Sequence, residues 1–137
     1  MNAETDFENV PKIAVVVPTR NEAENVGPLI GEIIAALGGH SFEIIFVDDG
    51  SNDGTADALA NAARCHLQLR VITHKHARGQ STAIVSGIRA AGADIIITMD
   101  GDGQNDPADA PRLLDQYLES GGGKHVMIAG HRVNRRD

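Results

Sequence analysis

Short apolar, β-branched runs alternate along this chain with stretches whose apolar residues recur every three to four positions. Ile13–Val17 reads as a buried strand closed by Pro18. A helix is expected from about Val26 to Leu37, with Leu29, Ile30, Ile33, Ile34 and Leu37 on one stripe and Gly38-Gly39 ending it. Glu43–Val47 predicts a second strand, and Thr55, as N-cap, opens a second helix that reaches His66. Leu69–Thr73 is the third strand, followed by a helix over Gln80–Ala91 that Gly92 stops. Asp94–Met99 is the fourth strand. Asp106-Pro107 supplies N-cap and first helical residue for a helix to about Ser120, and Val126–Ala129 makes a fifth strand.

Strand–helix–strand units of this kind imply a parallel sheet covered on both faces by helices, with right-handed crossovers: a three-layer α/β/α, Rossmann-like architecture. Residues 1–11, polar and acidic, are expected to be a disordered or extended lead-in, and residues 12–137 one domain. Arg132-Val133-Asn134-Arg135-Arg136-Asp137 carries no turn or cap signal and looks like a chain cut mid-stride.

Composition narrows the function. Hydrophobic residues make up 42% of the 137, but there is no Trp, one Tyr and three Phe, so the core is aliphatic. A formal charge of −7 argues against nucleic acid as a partner, since that needs a basic face. The single Cys65 excludes an internal disulfide, and a reducing, cytoplasmic compartment is the default. No apolar run approaches the roughly 20 residues that span a bilayer.

The carboxylates fall where such a sheet binds ligands, beyond the carboxyl ends of its strands. Asp100-Gly101-Asp102-Gly103-Gln104 follows the fourth strand, and two carboxylates one residue apart are costly there unless a cation joins them. An EF-hand frame laid from Asp100 fails, with Asn105 at its sixth position and Pro111 at its twelfth. Asp48-Asp49 follows the second strand, where one Asp would suffice for a turn. Pro18-Thr19-Arg20-Asn21-Glu22 follows the first, with Asn21 and Glu22 offering side chains to a ribose or base. His74, Lys75, His76 and Arg78 form a basic patch that reads as a solvated loop. No Walker motif occurs, nor a G-x-G-x-x-G after the first strand.

Val17-Pro18-Thr19-Arg20-Asn21-Glu22, Val47-Asp48-Asp49-Gly50-Ser51-Asn52-Asp53-Gly54-Thr55 and Met99-Asp100-Gly101-Asp102-Gly103-Gln104-Asn105-Asp106-Pro107 occur in that order. The set resembles a family 2 glycosyltransferase of GT-A fold, nearest its dolichyl- and polyprenyl-phosphate sugar transferases. The resemblance covers about residues 12 to 132. It implies that Pro18, Glu22, Val47 and Asp49 hold the nucleoside of a UDP- or GDP-linked sugar, with Arg20 standing where the branch often has Tyr. It further implies a D-x-D motif in Asp100, Gly101 and Asp102 at the donor diphosphate, Mg²⁺ or Mn²⁺ on Asp102 and Gln104 with Asp100, and Arg132 on the donor phosphates. Asp100, Asp102 and Arg132 are thus the implied catalytic residues.

The expected reaction is an inverting transfer of the sugar to a polyprenyl or dolichyl phosphate, the full-length enzyme working at the cytoplasmic face of a membrane. The rival is a catalytically incompetent nucleotide-binding or interaction module. A later antiparallel strand, outside this chain, is expected beside the fourth strand. Its absence would leave the Ile95-Ile96-Ile97 edge open and prone to homodimerisation.

Overall fold

The computed structural model describes residues 13–101, 107–119 and 126–129. In chain order the elements are β1 (Ile13–Thr19), α1 (Ala23–Leu37), β2 (Phe42–Asp49), α2 (Thr55–Cys65), β3 (Leu69–His74), α3 (Gln80–Ala90), β4 (Ile95–Thr98), a 3₁₀ turn (Pro107–Asp109), α4 (Ala110–Glu119) and β5 (Val126–Ala129). The sheet order is β3-β2-β1-β4-β5, and every neighbouring pair is parallel.

Parallel strands covered on both faces read as continuous apolar runs, and β1 is buried at all seven positions. Period-2 alternation sorts its side chains between two cores. Ile13, Val15 and Val17 join Ile44, Phe46 and Ile97 beneath α1, α2 and α4, through Leu29, Ile30, Ile33, Leu37, Leu59 and Leu114. Ala14, Val16, Ile45, Val47 and Ile96 face the opposite layer, where Ala83 of α3 packs on them. A Cβ on Gly87 would stand 2.4 Å from Val16 Cγ1 and 3.2 Å from Val47 Cγ2, so this glycine sets how closely α3 approaches the sheet. Buried Glu43 accepts hydrogen bonds from Arg70 Nη1 at 3.0 Å and Gly92 N at 3.1 Å, which satisfies a charge that would otherwise be costly there.

Several boundaries differ from the sequence-based expectation. β1 runs on through Pro18 to Thr19 because its ladder with β2 continues as Pro18↔Val47 and Thr19↔Asp48, and β2 runs on through Asp49 because its ladder with β3 continues to Asp49↔His74. α1 starts three residues before the expected Val26, at Ala23. Thr55 is the first residue of α2 rather than its cap, and Asp53 Oδ1 accepts from Thr55 N at 2.9 Å. Pro107 opens a 3₁₀ turn ahead of α4, while Asp106 lies outside the described residues.

The expected open edge of β4 is corrected outright. β4 pairs with β1 on one side and with β5 on the other, Ile95↔Val126 to Thr98↔Ala129. Its isoleucines therefore lie inside the sheet, and the route to dimerisation argued from that edge is removed.

Candidate functional site

The chain passes from β1 outward to β2 and β3, then returns across β1 to β4. The strand order thus reverses between β1 and β4, and ligands bind open α/β sheets in the crevice at such a point. A cavity of about 500 Å³ lies there, lined by Pro18, Thr19, Arg20, Glu22, Asp49, Ala77, Gly79, Gln80, Asp100 and Gly101. That volume is in the range of small-molecule sites.

Backbone ladders place the two central walls. Beyond β4 the pairing to β1 continues as Met99 N to Val16 O at 3.1 Å and Gly101 N to Pro18 O at 3.2 Å. Asp100 is therefore presented from backbone still tied to β1. Gly101 presses on that strand so closely that a Cβ would lie 2.5 Å from Thr19 Oγ1. Thr19 is 4% exposed, and its hydroxyl has no hydrogen-bond partner among the described residues.

The two adjacent aspartates of β2 divide their tasks. Asp48 Oδ1 accepts from Ser51 N at 3.0 Å and closes its own turn. Asp49 reaches across to the loop after β3: Oδ1 accepts from Arg78 N at 2.8 Å and Oδ2 from Gly79 N at 2.9 Å. His74 Nδ1 lies 2.9 Å from the same Oδ1. Burial pushes the Asp49 carboxyl up, but the bonds from Arg78 N–H, His74 and Gly79 N–H together outweigh it and hold the group below its ordinary value. Gly50, at φ 76°, packs against this loop, where a Cβ would lie 2.5 Å from Ala77 N.

Among the residues expected from sequence, Pro18, Arg20, Glu22, Asp49, Asp100 and Gly101 converge on the cavity. Val47 does not line it, since its side chain is fully buried beneath α3. Asp102, Gln104 and Arg132 lie outside the described residues. Asn21 is not among the residues that line the cavity. It stands at φ 54°, accepting from Asn52 N at 2.8 Å through Oδ1 while its own N–H donates to Ser51 Oγ at 2.9 Å. Glu22 takes Asn25 Nδ2 on its carboxylate at 2.7 Å and donates its N–H to Thr55 Oγ1 at 2.9 Å.

The basic patch also needs correcting. Lys75, His76 and Arg78 are exposed, but His74 is buried between Asp49 and Ser86. Thr19, Ala77, Gly79 and Gln80 are the lining residues that sequence reasoning passed over. Gly79-Gln80 gave one usable signal, a glycine just before the third helix at the same sheet edge as the acidic loops. Gln80 Nε2 donates to Asp100 Oδ1 at 2.7 Å, joining two of the lining residues.

Residues 14–134 match the family described as Glycosyl transferase family 2. The chain belongs to that family. Dodecaprenyl-phosphate galacturonate synthase of Rhizobium johnstonii is 40% identical over 129 residues, covering 92% of this chain and 37% of that protein. Undecaprenyl-phosphate 4-deoxy-4-formamido-L-arabinose transferase of Pectobacterium atrosepticum is 36% identical over 136 residues, covering 96% of this chain and 40% of that one. Among solved structures, the mannosyltransferase PcManGT of Pyrobaculum calidifontis, in complex with GDP-Man and Mn²⁺, matches with a TM-score of 0.68 at 26% identity, over 80% of this chain and 32% of that one. S. aureus TarS in complex with UDP-GlcNAc matches in fold, with a TM-score of 0.62 at 20% identity, over 80% of this chain and 31% of that one.

This family 2 chain thus has the GT-A architecture and spans about two fifths of the length of the curated relatives it matches. No helix among its described residues is long and apolar enough to cross a membrane.

Proposed function

We propose that this domain binds a UDP- or GDP-linked sugar with Mg²⁺ or Mn²⁺ and, within an enzyme of the relatives' size, transfers the sugar with inversion to a polyprenyl or dolichyl phosphate at the cytoplasmic face of a membrane. Support comes above all from one observation: Pro18–Glu22, Asp49 and Asp100–Gly101, far apart in sequence, meet around a single cavity at the switch point. The nucleoside would lie against Pro18, Arg20, Glu22 and Asp49. Val47 would contribute only through its backbone, since its side chain is spent in the core.

The donor chemistry suits a hard cation. Among the described residues no three His, Cys, Asp or Glu side chains group around a metal position, but Asp100 presents a carboxylate at the cavity. Asp102 and Gln104 would complete an all-oxygen set of the kind Mg²⁺ and Mn²⁺ prefer. When bound, the cation would neutralise charge developing on the departing diphosphate. Arg132 would add a fixed positive charge to the same phosphates. In the transfer an acceptor phosphate oxygen bonds to the anomeric carbon as that carbon's bond to the diphosphate oxygen breaks. A phosphate acceptor is already anionic near neutral pH, so it needs little help from a general base.

Thermal shift with UDP and GDP, with and without Mn²⁺, tests the binding half of this proposal. A ligand bound only by the folded chain raises Tm by mass action. Asp102→Ala should abolish the metal dependence. Equal nucleotide binding by wild type and Asp102→Ala in saturating Mn²⁺ would sink the metal assignment, and no stabilisation by either nucleotide would sink the donor class.

A further inference from the structure

Behind the cavity wall, three side chains from β2, β3 and α3 stand in line. His74 Nδ1 lies 2.9 Å from Asp49 Oδ1, and His74 Nε2 lies 2.9 Å from Ser86 Oγ. The His74 and Asp49 side chains are each 8% exposed. One tautomer, assigned from these partners, satisfies the row: Nδ1–H donates to the carboxylate and Nε2 accepts from the Ser86 hydroxyl. The order matches a Ser–His–carboxylate triad, but Ser86 sits inside α3 and does not line the cavity, so the row is not placed to act on a ligand bound there.

The row ends on the cavity instead. Asp49 carries the loop after β3 through the Arg78 and Gly79 amides. Gly79, at φ 100°, is the N-cap of α3 and turns the chain into the helix. Gln80, the next residue, donates to Asp100 Oδ1 at 2.7 Å. A continuous set of contacts therefore runs from Ser86 through His74 and Asp49 to Gly79, and on by one covalent step to Gln80 and Asp100.

Three of the four acceptor positions of the Asp49 carboxylate are taken, by His74 and Arg78 on Oδ1 and by Gly79 on Oδ2. Without the ring, Oδ1 would lose its only side-chain donor among the described residues, and the carboxylate could turn away from the loop amides. We propose that His74 is a positioning residue of the nucleotide cavity. It touches no ligand; by fixing the Asp49 carboxylate it fixes the loop after β3, and with it the place where Gln80 meets Asp100. This inference rests on the proposed nucleotide site and adds a residue that acts on it from behind.

Two substitutions separate this role from simple core packing. His74→Asn puts its amide nitrogen near the Nδ1 position, keeping the donor to Asp49 and losing Ser86. His74→Gln reaches the Nε2 position, keeping Ser86 and losing the donor to Asp49. Calorimetric titration with UDP and with GDP in Mn²⁺ gives Kd, thermal unfolding gives Tm, and hydrogen exchange reports the Arg78 and Gly79 amides. The Asn variant should bind within about twofold of wild type. The Gln variant should bind about tenfold more weakly, the scale of one lost hydrogen bond to a charged group, with faster exchange at both amides. Equal loss in both variants, or loss in neither, overturns the proposal.

Should the Gln variant fail to fold, His74→Phe keeps the bulk of the ring and removes the donor to Asp49. Raised exchange at Arg78 and Gly79 is then expected, and unchanged exchange overturns the proposal. A wild type that binds neither nucleotide rejects the donor site itself, and this positioning role with it.

Discussion

Gln80 Nε2 donates to Asp100 Oδ1 across 2.7 Å, tying the first residue of α3 to the carboxylate that follows β4. The two residues come from opposite sides of the switch point, so this bond closes the cavity rim on its β4 side. It also aims one carboxylate oxygen, and aim decides whether a carboxylate can serve a metal with open positions.

Gln80→Leu keeps the approximate bulk and removes the donor. Because Gln80 is exposed, the loss should be modest, about 1 kcal/mol or roughly fivefold in metal-dependent nucleotide affinity, with Tm nearly unchanged. Gln80→Glu sets a second carboxylate against Asp100 and should weaken nucleotide binding further at low Mn²⁺, with recovery as Mn²⁺ rises. Titration of Mn²⁺ at fixed nucleotide checks both. Wild-type affinity in both variants would assign the contact to the surface alone.

Asp49 gives a pH dependence whose sign can be worked out. The folded chain holds this carboxyl below its ordinary value, so folding favours the charged form. Its contribution to stability is complete above the ordinary Asp value and is lost as pH falls through the lower folded value, below which both states are protonated. Urea unfolding from about pH 6 downward should show stability falling below about pH 4, with faster exchange at Arg78 and Gly79 over the same window. Asp49→Asn should flatten that fall. Asp53 is also held low, by the Thr55 hydroxyl and N–H, and should leave a residual slope in the variant. An unchanged slope in Asp49→Asn would remove Asp49 from the acid transition.

Gly87 tests the packing of α3 independently of the cavity. A methyl group there would stand 2.4 Å from Val16 Cγ1, and both Val16 and Val47 are stiff, fully buried side chains. Gly87→Ala should therefore cost about 1–3 kcal/mol despite the better helix propensity of Ala, lowering Tm by several degrees. A rise in Tm would mean that the sheet yields at this crossing.

The strands were legible because a parallel strand buried on both faces leaves a plain signature, seen in Ile13–Val17 and Ile95–Ile97. Their ends were not, since Pro18, Thr19, Asp48 and Asp49 are held in strand by a neighbour's ladder rather than by their own preference. The motifs singled out Pro18, Arg20, Glu22, Asp49, Asp100 and Gly101, and all six line one cavity. His74 was misread because its burial depends on Ser86, twelve positions away on a helix, and no local pattern announces such a partner. Strand order is likewise absent from hydrophobic periodicity, so the partner of β4 had to come from the structure. Asn21 was expected to face a ligand, and no local pattern announced that its side-chain oxygen accepts from Asn52 in a neighbouring loop.

The loops around the cavity are shackled in series. The first is tied to the second by Asn21 with Ser51 and Asn52 and by Glu22 with Thr55, and the second to the third by Asp49 with Arg78 and Gly79. Gln80 then joins the start of α3 to Asp100. Loops ordinarily absorb insertions and deletions with little consequence. Here a residue added to any one of them would break register with the next, and the error would travel round the rim. Change at this site is therefore cheapest by exchanging outward side chains such as Arg20 or Gln80, while loop lengths stay fixed.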